Sequence, residues 1–366
     1  MSPRPTLAEL PPAPAGRSGW PWTEAPPPPP PTLSGGRPWP RITVVTPSYR
    51  QAEFLEATLR SVLLQGYPDL EYIVVDGGSD DGSVEILERY SPWLHAWSSE
   101  PDRGQSHAIN KGFRRATGEI LAWLNSDDLY YPGALETVAR LFDRTGCDLL
   151  FGAMDKVEVT PTGVRPVKRS TPLDGEPIHP FPILANGRWH RFHFIQPPMF
   201  WRRWVWERTG GLDERYHYVM DREWCNRALA LGAEPVVTDA VLARFALHPG
   251  SKSRERGPLF SRELALMYLR LSRIPGFRPG PCLVAAAHPA QRALARGAAV
   301  ATAEGRRGAA LLLRLGAHAL SNARRIAPGR WTGTERRRGR ERDTTRSHAS
   351  TTPVARGATP PSTTRR

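Results

Sequence analysis

The chain has 366 residues, 40% of them hydrophobic, with 38 Pro, 32 Gly and a formal net charge of +14, enough length for two average domains or one large one with extensions. Ten Arg between Arg330 and Arg366 are set against only Glu335, Glu341 and Asp343, so half of the excess charge sits in one terminal stretch and the basic balance says little about the rest. Three widely spaced cysteines (Cys147, Cys225, Cys282) exclude a disulfide framework or a cysteine-rich zinc site and suit a reducing compartment; with no basic-then-apolar leader and no apolar run near the ~20 residues of a membrane span, the expected location is cytoplasmic.

Residues 1–40 are proline-dominated, with an unbroken run from Pro26 to Pro31 and no apolar period. That composition predicts a disordered, polyproline-like tail. Order is expected from the β-branched run Ile42–Val45, which breaks into the loop TPSY. Phe54, Leu55, Leu59, Val62 and Leu63 then recur with helical spacing. A second strand, Glu71–Val75, runs into DGGSDDGS (Asp76–Ser83), and Val84, Ile86, Leu87 and Tyr90 mark a short helix. A third strand near Leu94–Ser98 is followed by a helix over Ala108–Ala116. The fourth strand, from Ile120, delivers Asn125, Ser126, Asp127 and Asp128.

Strand–helix alternation of this kind predicts an α/β fold with a mostly parallel sheet, and near-continuous apolar strands fit a sheet covered on both faces. Ligands of such sheets bind at the carboxyl ends of the strands, where TPSY, DGGSDD and NSDD converge. Farther on, Asp221 opens a run in which Trp224, Ala228 and Leu231 have helical spacing, Glu234–Thr238 reads as a strand, and ARFALHPGSKS follows. Beyond Ser253, Leu264, Met267, Leu271 and later leucines indicate helices broken by Pro275, Pro279 and Pro281.

The loops admit several chemistries. A calcium loop starting at Asp76 fails, since its sixth residue is Asp81 and its twelfth Leu87, where Gly and Glu are required. TPSYRQ has no glycine for a dinucleotide fingerprint, and GK[ST] is absent. Two adjacent acids at the end of an apolar strand repel each other and are costly to desolvate. One of them could cap the next helix. Both together fit a divalent cation shared with a nucleotide diphosphate.

At this point a family pattern becomes legible. TPSY, VVDGGSDDGS, the Gly104/Ala108/Asn110/Gly112 block and the acidic pair occur in one order over about Arg41 to Ser253. The chain thereby resembles the family 2 glycosyltransferases, with a Rossmann-like GT-A fold. The resemblance implies an inverting enzyme that moves a sugar from a nucleotide-diphosphate sugar to a hydroxyl, in polysaccharide, glycolipid or cell-envelope glycan synthesis, with Mg²⁺ or Mn²⁺ bound. It implies that Pro47 and Tyr49 line the base pocket, Asp76 faces base and ribose, Asn110 lies in the donor-binding set, Asp127 contacts ribose or assists the metal, and Asp128 is the main metal ligand. Asp221, in its Asp-x-x-Trp-x-x-Arg setting, takes the place of the general base, although a first-turn helix acid is the plainer reading. His248 would meet metal or diphosphate and Lys252 the phosphate charge. His190, Arg191, His193, Gln196 and Trp201 are expected on the acceptor side. Gly77 departs from the pattern: many members carry there a second Asp that helps read uracil, so the nucleotide is left open between UDP, GDP and dTDP.

The expected organisation is a disordered tail over 1–40, a GT-A domain over 41–255, a helical appendage over 256–328 and a disordered basic tail over 329–366. The appendage either packs on the domain or lies as a basic amphipathic surface on a membrane carrying a lipid-linked acceptor; nucleic acid is not an expected partner of the folded domain. Rival readings are a sugar-phosphate nucleotidyltransferase, disfavoured because TPSYRQ lacks a glycine-rich loop with Arg and Lys, and a nucleotide-sugar-binding protein without transfer activity.

Overall fold

A computed structural model describes residues 4–160, 163–172, 183–185, 188–190, 196–254 and 258–271. Its first half alternates as the sequence predicts: β1 (Ile42–Ser48), α1 (Ala52–Leu63), β2 (Leu70–Asp76), α2 (Ser83–Tyr90), β3 (Ala96–Ser99), α3 (Gln105–Phe113), β4 (Ile120–Trp123), the two-residue β5 (Leu129–Tyr130) and α4 (Ala134–Thr145). The second half adds the long hairpin β6 (Leu149–Thr160) and β7 (Gly163–Ser170), the small pair β8 (Ile183–Ala185) and β9 (Arg188–His190), then β10 (Met199–Arg202), α5 (Arg203–Thr209), α6 (Met220–Ala230), β11 (Pro235–Leu247) and α7 (Pro258–Leu271).

The main sheet runs β3-β2-β1-β4-β10-β6-β11-β5, with β7 paired to β6. β1 is parallel to β2 and β4, and β2 to β3. The second half is mixed, because β10 enters antiparallel between β4 and β6, and β5 runs antiparallel to β11. All seven residues of β1 are buried, since successive side chains feed two cores on opposite faces. Ile42, Val44, Tyr72, Val74 and Ala122 pack against Leu55, Leu59 and Val62 of α1. Val45, Ile73, Val75, Leu121 and Trp123 pack against Ala108, Ile109 and Phe113 of α3.

The close fit of α3 to β1 depends on Gly112, where a Cβ would stand 2.4 Å from Val45 Cγ1. Gly112→Ala should therefore destabilise the domain by about 1–3 kcal/mol through overpacking, read as a lower midpoint in denaturant unfolding despite the better helix propensity of Ala.

Two expectations about boundaries are corrected. The proline-rich stretch is not a free tail over the described residues 4–40: Leu10, Leu33 and Trp39 are buried in the α1-side core, and Trp20 Nε1 donates to Tyr130 O at 2.9 Å. Prolines need no partner for a missing N–H and still present carbonyls. Arg60 of α1, 1% exposed, uses them: its guanidinium donates to the carbonyl oxygens of Pro11, Pro21 and Trp22 at 2.7–3.0 Å. The composition of the stretch hides the few spaced apolar residues that dock it.

The other correction concerns α7, which is an integral part of the domain and not an appendage. Leu264, Met267 and Leu271 join Trp224 and Cys225 in the α3-side core. The rest of the expected appendage and the whole basic tail lie outside the described residues. Among the described residues, no helix is long and apolar enough to cross a membrane.

Candidate active site

A cleft of about 970 Å³ opens at the carboxyl ends of β1 and β4. Pro47, Ser48 and Tyr49 leave β1 on one wall, Asn125, Ser126 and Asp127 leave β4 on the floor, and Asp221 and Arg222 of α6 face it together with Ser251 and Lys252. The convergence expected from three loops is thus present for TPSY and NSDD. From DGGSDD, Gly77 is the residue that reaches the cleft.

Asp76 does not reach it. The carboxylate is fully buried and accepts from the backbone N–H of Gly78 and Ser79 and from the hydroxyls of Ser79 and Ser99, all within 3.0 Å. Its chemistry is spent on closing the turn after β2. Asn110 is likewise consumed in structure. It donates to Leu212 O and accepts from Leu212 N–H, both at 2.9 Å, clasping α3 to the Gly210–Gly211 turn, and is absent from the cleft wall.

The acidic pair is split by the turn that carries it. Thr58 Oγ1 lies 2.8 Å from Ser126 O and 2.9 Å from Asp128 O, fixing the loop against α1. Asp128 points inward and is fully buried; its oxygens accept from Ala246 N–H at 3.0 Å and Asn125 Nδ2 at 3.3 Å. Burial, reinforced by the like charge of Asp127, holds its carboxyl well above the usual carboxylate range. Asp127 lines the cleft and meets His248 Nε2 at 3.0 Å through Oδ2, while the His248 ring packs at a tilt on Phe54 with centroids 4.5 Å apart. Of the two acids, Asp127 lines the cleft and Asp128 does not.

A chain of amides crosses the floor. Lys252 Nζ donates to Gln105 Oε1 at 3.0 Å, Gln105 Nε2 to Asn125 Oδ1 at 2.7 Å, Asn125 Nδ2 to Gln196 Oε1 at 3.2 Å, and Gln196 Nε2 to Trp123 O at 3.0 Å. Of the expected acceptor-side residues, Gln196 belongs to this chain, whereas Trp201 is buried among Trp123, Trp206 and Trp224. His190, Arg191 and His193 carry side chains outside the described residues.

Asp221 sits in the first turn of α6 and accepts from Arg222 N–H at 2.6 Å. The Asp-x-x-Trp-x-x-Arg spacing has a mechanical reason. Trp224 Nε1 donates to Thr209 Oγ1 at 2.7 Å and Arg227 to Thr209 O and Gly211 O, anchoring one side of α6 and leaving Asp221 toward the cleft. Burial raises the Asp221 carboxyl above its ordinary value, partly offset by Arg222 and Lys252. From α7, Glu263 accepts from the N–H groups of His217 and Tyr218 at 2.9 and 2.7 Å, pinning the segment before Asp221, and Phe260 completes the wall. Sequence reasoning missed Phe260, which no motif marks, and Gln105, whose signal was its place directly after Gly104. Asp213 and Glu214, just before Asp221, pair with Arg215 and Arg103.

The family model described as glycosyl transferase family 2 matches residues 43–208. Over 231 residues the chain is 30% identical to an uncharacterized glycosyltransferase of Mycobacterium tuberculosis, covering 60% of this chain and 80% of that protein. It is 36% identical over 115 residues to the putative teichuronic acid biosynthesis glycosyltransferase TuaG of Bacillus subtilis, 31% of this chain and 46% of TuaG. Among solved structures, S. aureus TarS residues 1–349 in complex with UDP-GlcNAc superposes with a TM-score of 0.52 at 19% identity, over 69% of this chain and 72% of that one. A longer TarS structure is covered over 43% of its length.

Proposed function

Since the chain belongs to glycosyl transferase family 2, we propose that it moves a sugar from a nucleotide-diphosphate sugar to a hydroxyl of a cell-envelope glycan, with inversion at the anomeric carbon. The observation that carries this reading is one cleft bounded by Asp127, backed by His248, and by a half-buried Asp221 at the start of α6. The likeness to TuaG supports the acceptor class.

Asp127 Oδ2 and His248 Nε2 lie 3.0 Å apart, and no three His, Cys, Asp or Glu are placed to hold a metal ion by themselves among the described residues. The Asp127 carboxylate, substrate phosphates and water make a fitting oxygen set for Mg²⁺ or Mn²⁺, which seldom need an all-protein cage, with His248 holding the carboxylate from behind. Such an ion would act as a Lewis acid on the diphosphate. Tyr49, 55% exposed, offers a ring for the base. Lys252, on the cleft wall, supplies positive charge for the phosphates. Asp221 takes the proton from the attacking hydroxyl, which approaches opposite the departing diphosphate.

The test is release of nucleoside diphosphate from a panel of UDP-, GDP- and dTDP-sugars, with and without Mn²⁺, followed by the anomeric configuration of the product. No release with any donor, or a retained anomer, would refute the reading. Asp127→Asn should weaken Mn²⁺-dependent donor binding at least about tenfold, whereas Asp128→Asn, which keeps an acceptor for Ala246 N–H, should weaken it far less. The opposite ranking in calorimetry would return the metal role to Asp128.

A further inference from the structure

One end of the cleft is lined by Tyr49, Gly77, Pro101 and Asp102. Gly77 leaves a gap there: a Cβ would stand 3.0 Å from Asp102 Oδ2 and 3.2 Å from Tyr49 Cδ2. The Asp102 carboxylate thus occupies the space beside the aromatic ring that a side chain on β2 would otherwise fill. Its two oxygens are not equivalent. Oδ1 accepts from Gly104 N–H at 2.6 Å and builds the turn into α3, whereas Oδ2, at Gly77, takes no hydrogen bond from the described residues. Two other polar atoms lining the cleft, Ser48 Oγ and Gln51 Oε1, are buried without a partner among the described residues, whereas Asp102 is only partly buried; Ser48 is 4% exposed. Buried polar groups are normally satisfied, so the cleft is shaped for a ligand that brings hydrogen-bond donors to an aromatic face.

We infer that Asp102 is a specificity-determining residue of the donor site, its Oδ2 accepting the ring N–H of a nucleobase stacked on Tyr49. This rests on the nucleotide-sugar reading of the cleft. The bases with such a ring N–H are uracil and thymine at N3 and guanine at N1; cytosine and adenine present a bare ring nitrogen at the same positions and would set a lone pair against the carboxylate. An acceptor left facing an acceptor is what separates matched from mismatched ligands in polar sites.

The test is calorimetric binding of UDP, CDP, GDP and ADP to the full chain with Mn²⁺ present. The unchanged protein should prefer UDP over CDP, or GDP over ADP, and which pair shows the preference identifies pyrimidine or purine. Asp102→Asn keeps an oxygen for Gly104 N–H and puts an NH₂ where Oδ2 stood, so it should narrow that preference by about tenfold or more. Gly77→Ala leaves the Asp102 carboxylate in the chain but sets a Cβ 3.0 Å from its Oδ2, pushing that oxygen off the ring N–H, and should narrow it as well. A role confined to shaping the loop would lower all four affinities together and leave the ratio unmoved. That result would overturn the inference while the donor reading stands. If the unchanged protein binds no nucleoside diphosphate at all, the donor reading fails and this inference with it.

Discussion

Asp221→Asn is expected to lower turnover by about 10²–10⁴-fold, the usual contribution of a general base, with donor affinity unchanged. Asn keeps an oxygen for the 2.6 Å hydrogen bond from Arg222 N–H and nearly the same volume, so the start of α6 should hold its shape. What it loses is the ability to accept a proton. The acid limb of the pH–rate profile of the unchanged protein should lie above the ordinary Asp value of ~3.9, because burial raises this carboxyl: activity is present above the raised value and lost as pH falls through it. Stability runs the other way. With the folded-state pKa above the unfolded one, the native state holds the proton more tightly. Its penalty is absent below the unfolded value and sets in as pH rises through the raised one. Asn removes that penalty, so at neutral pH the variant should be at least as stable as the parent. Turnover within about twofold of the parent, measured as donor consumption with matched calorimetric affinity, would remove Asp221 from the base role.

Arg60→Met is expected to cost about 3–5 kcal/mol and to lower Tm by roughly 10 °C in a domain of this size. The guanidinium is buried and satisfied by three backbone carbonyls of the proline-rich segment, by Tyr90 Oη at 3.1 Å, and by the Trp22 ring 5.3 Å below it. Met fills part of the volume but leaves those carbonyls without a donor. The effect should reach the cleft, because the same helix fixes the acidic loop through Thr58 and receives Tyr130 N–H at Ser61 Oγ. Removing residues 1–38 should produce a loss of similar size by stranding the charge instead of its partners. A thermal shift below about 2 °C for both variants would show that the segment contributes little to the fold.

The parallel half of the fold was legible in residues because each strand there is buried on both faces and each break carries loop chemistry. Val44 and Val45 read alike in sequence, and they are alike in burial, though one meets α1 and the other α3. The antiparallel entry of β10 was not legible. Met199–Arg202 owes its place to pairing with Leu121 of β4 and Phe151 of β6, partners distant in the chain.

The site divides in the same way. The residue types that can bind a nucleotide sugar, and their arrival at strand ends, were set by the sequence: Pro47, Tyr49, Asp127, Asp221, His248 and Lys252 stand on or directly behind one cleft. Their division of labour was not. Asp76 and Asp127 are both acids after apolar strands, yet one is saturated by turn N–H and hydroxyl groups and the other faces the cleft. Asp127 and Asp128 are chemically identical neighbours, separated by their partners: Ala246 N–H and Asn125 hold Asp128, and His248 meets Asp127. Sequence by itself determines the family, the strand–loop rhythm and the set of chemically able side chains, because these depend on local pattern. Tertiary structure alone decides which carboxylate is spent on the fold and which remains for a ligand, because that depends on hydrogen-bond donors brought in from elsewhere in the chain.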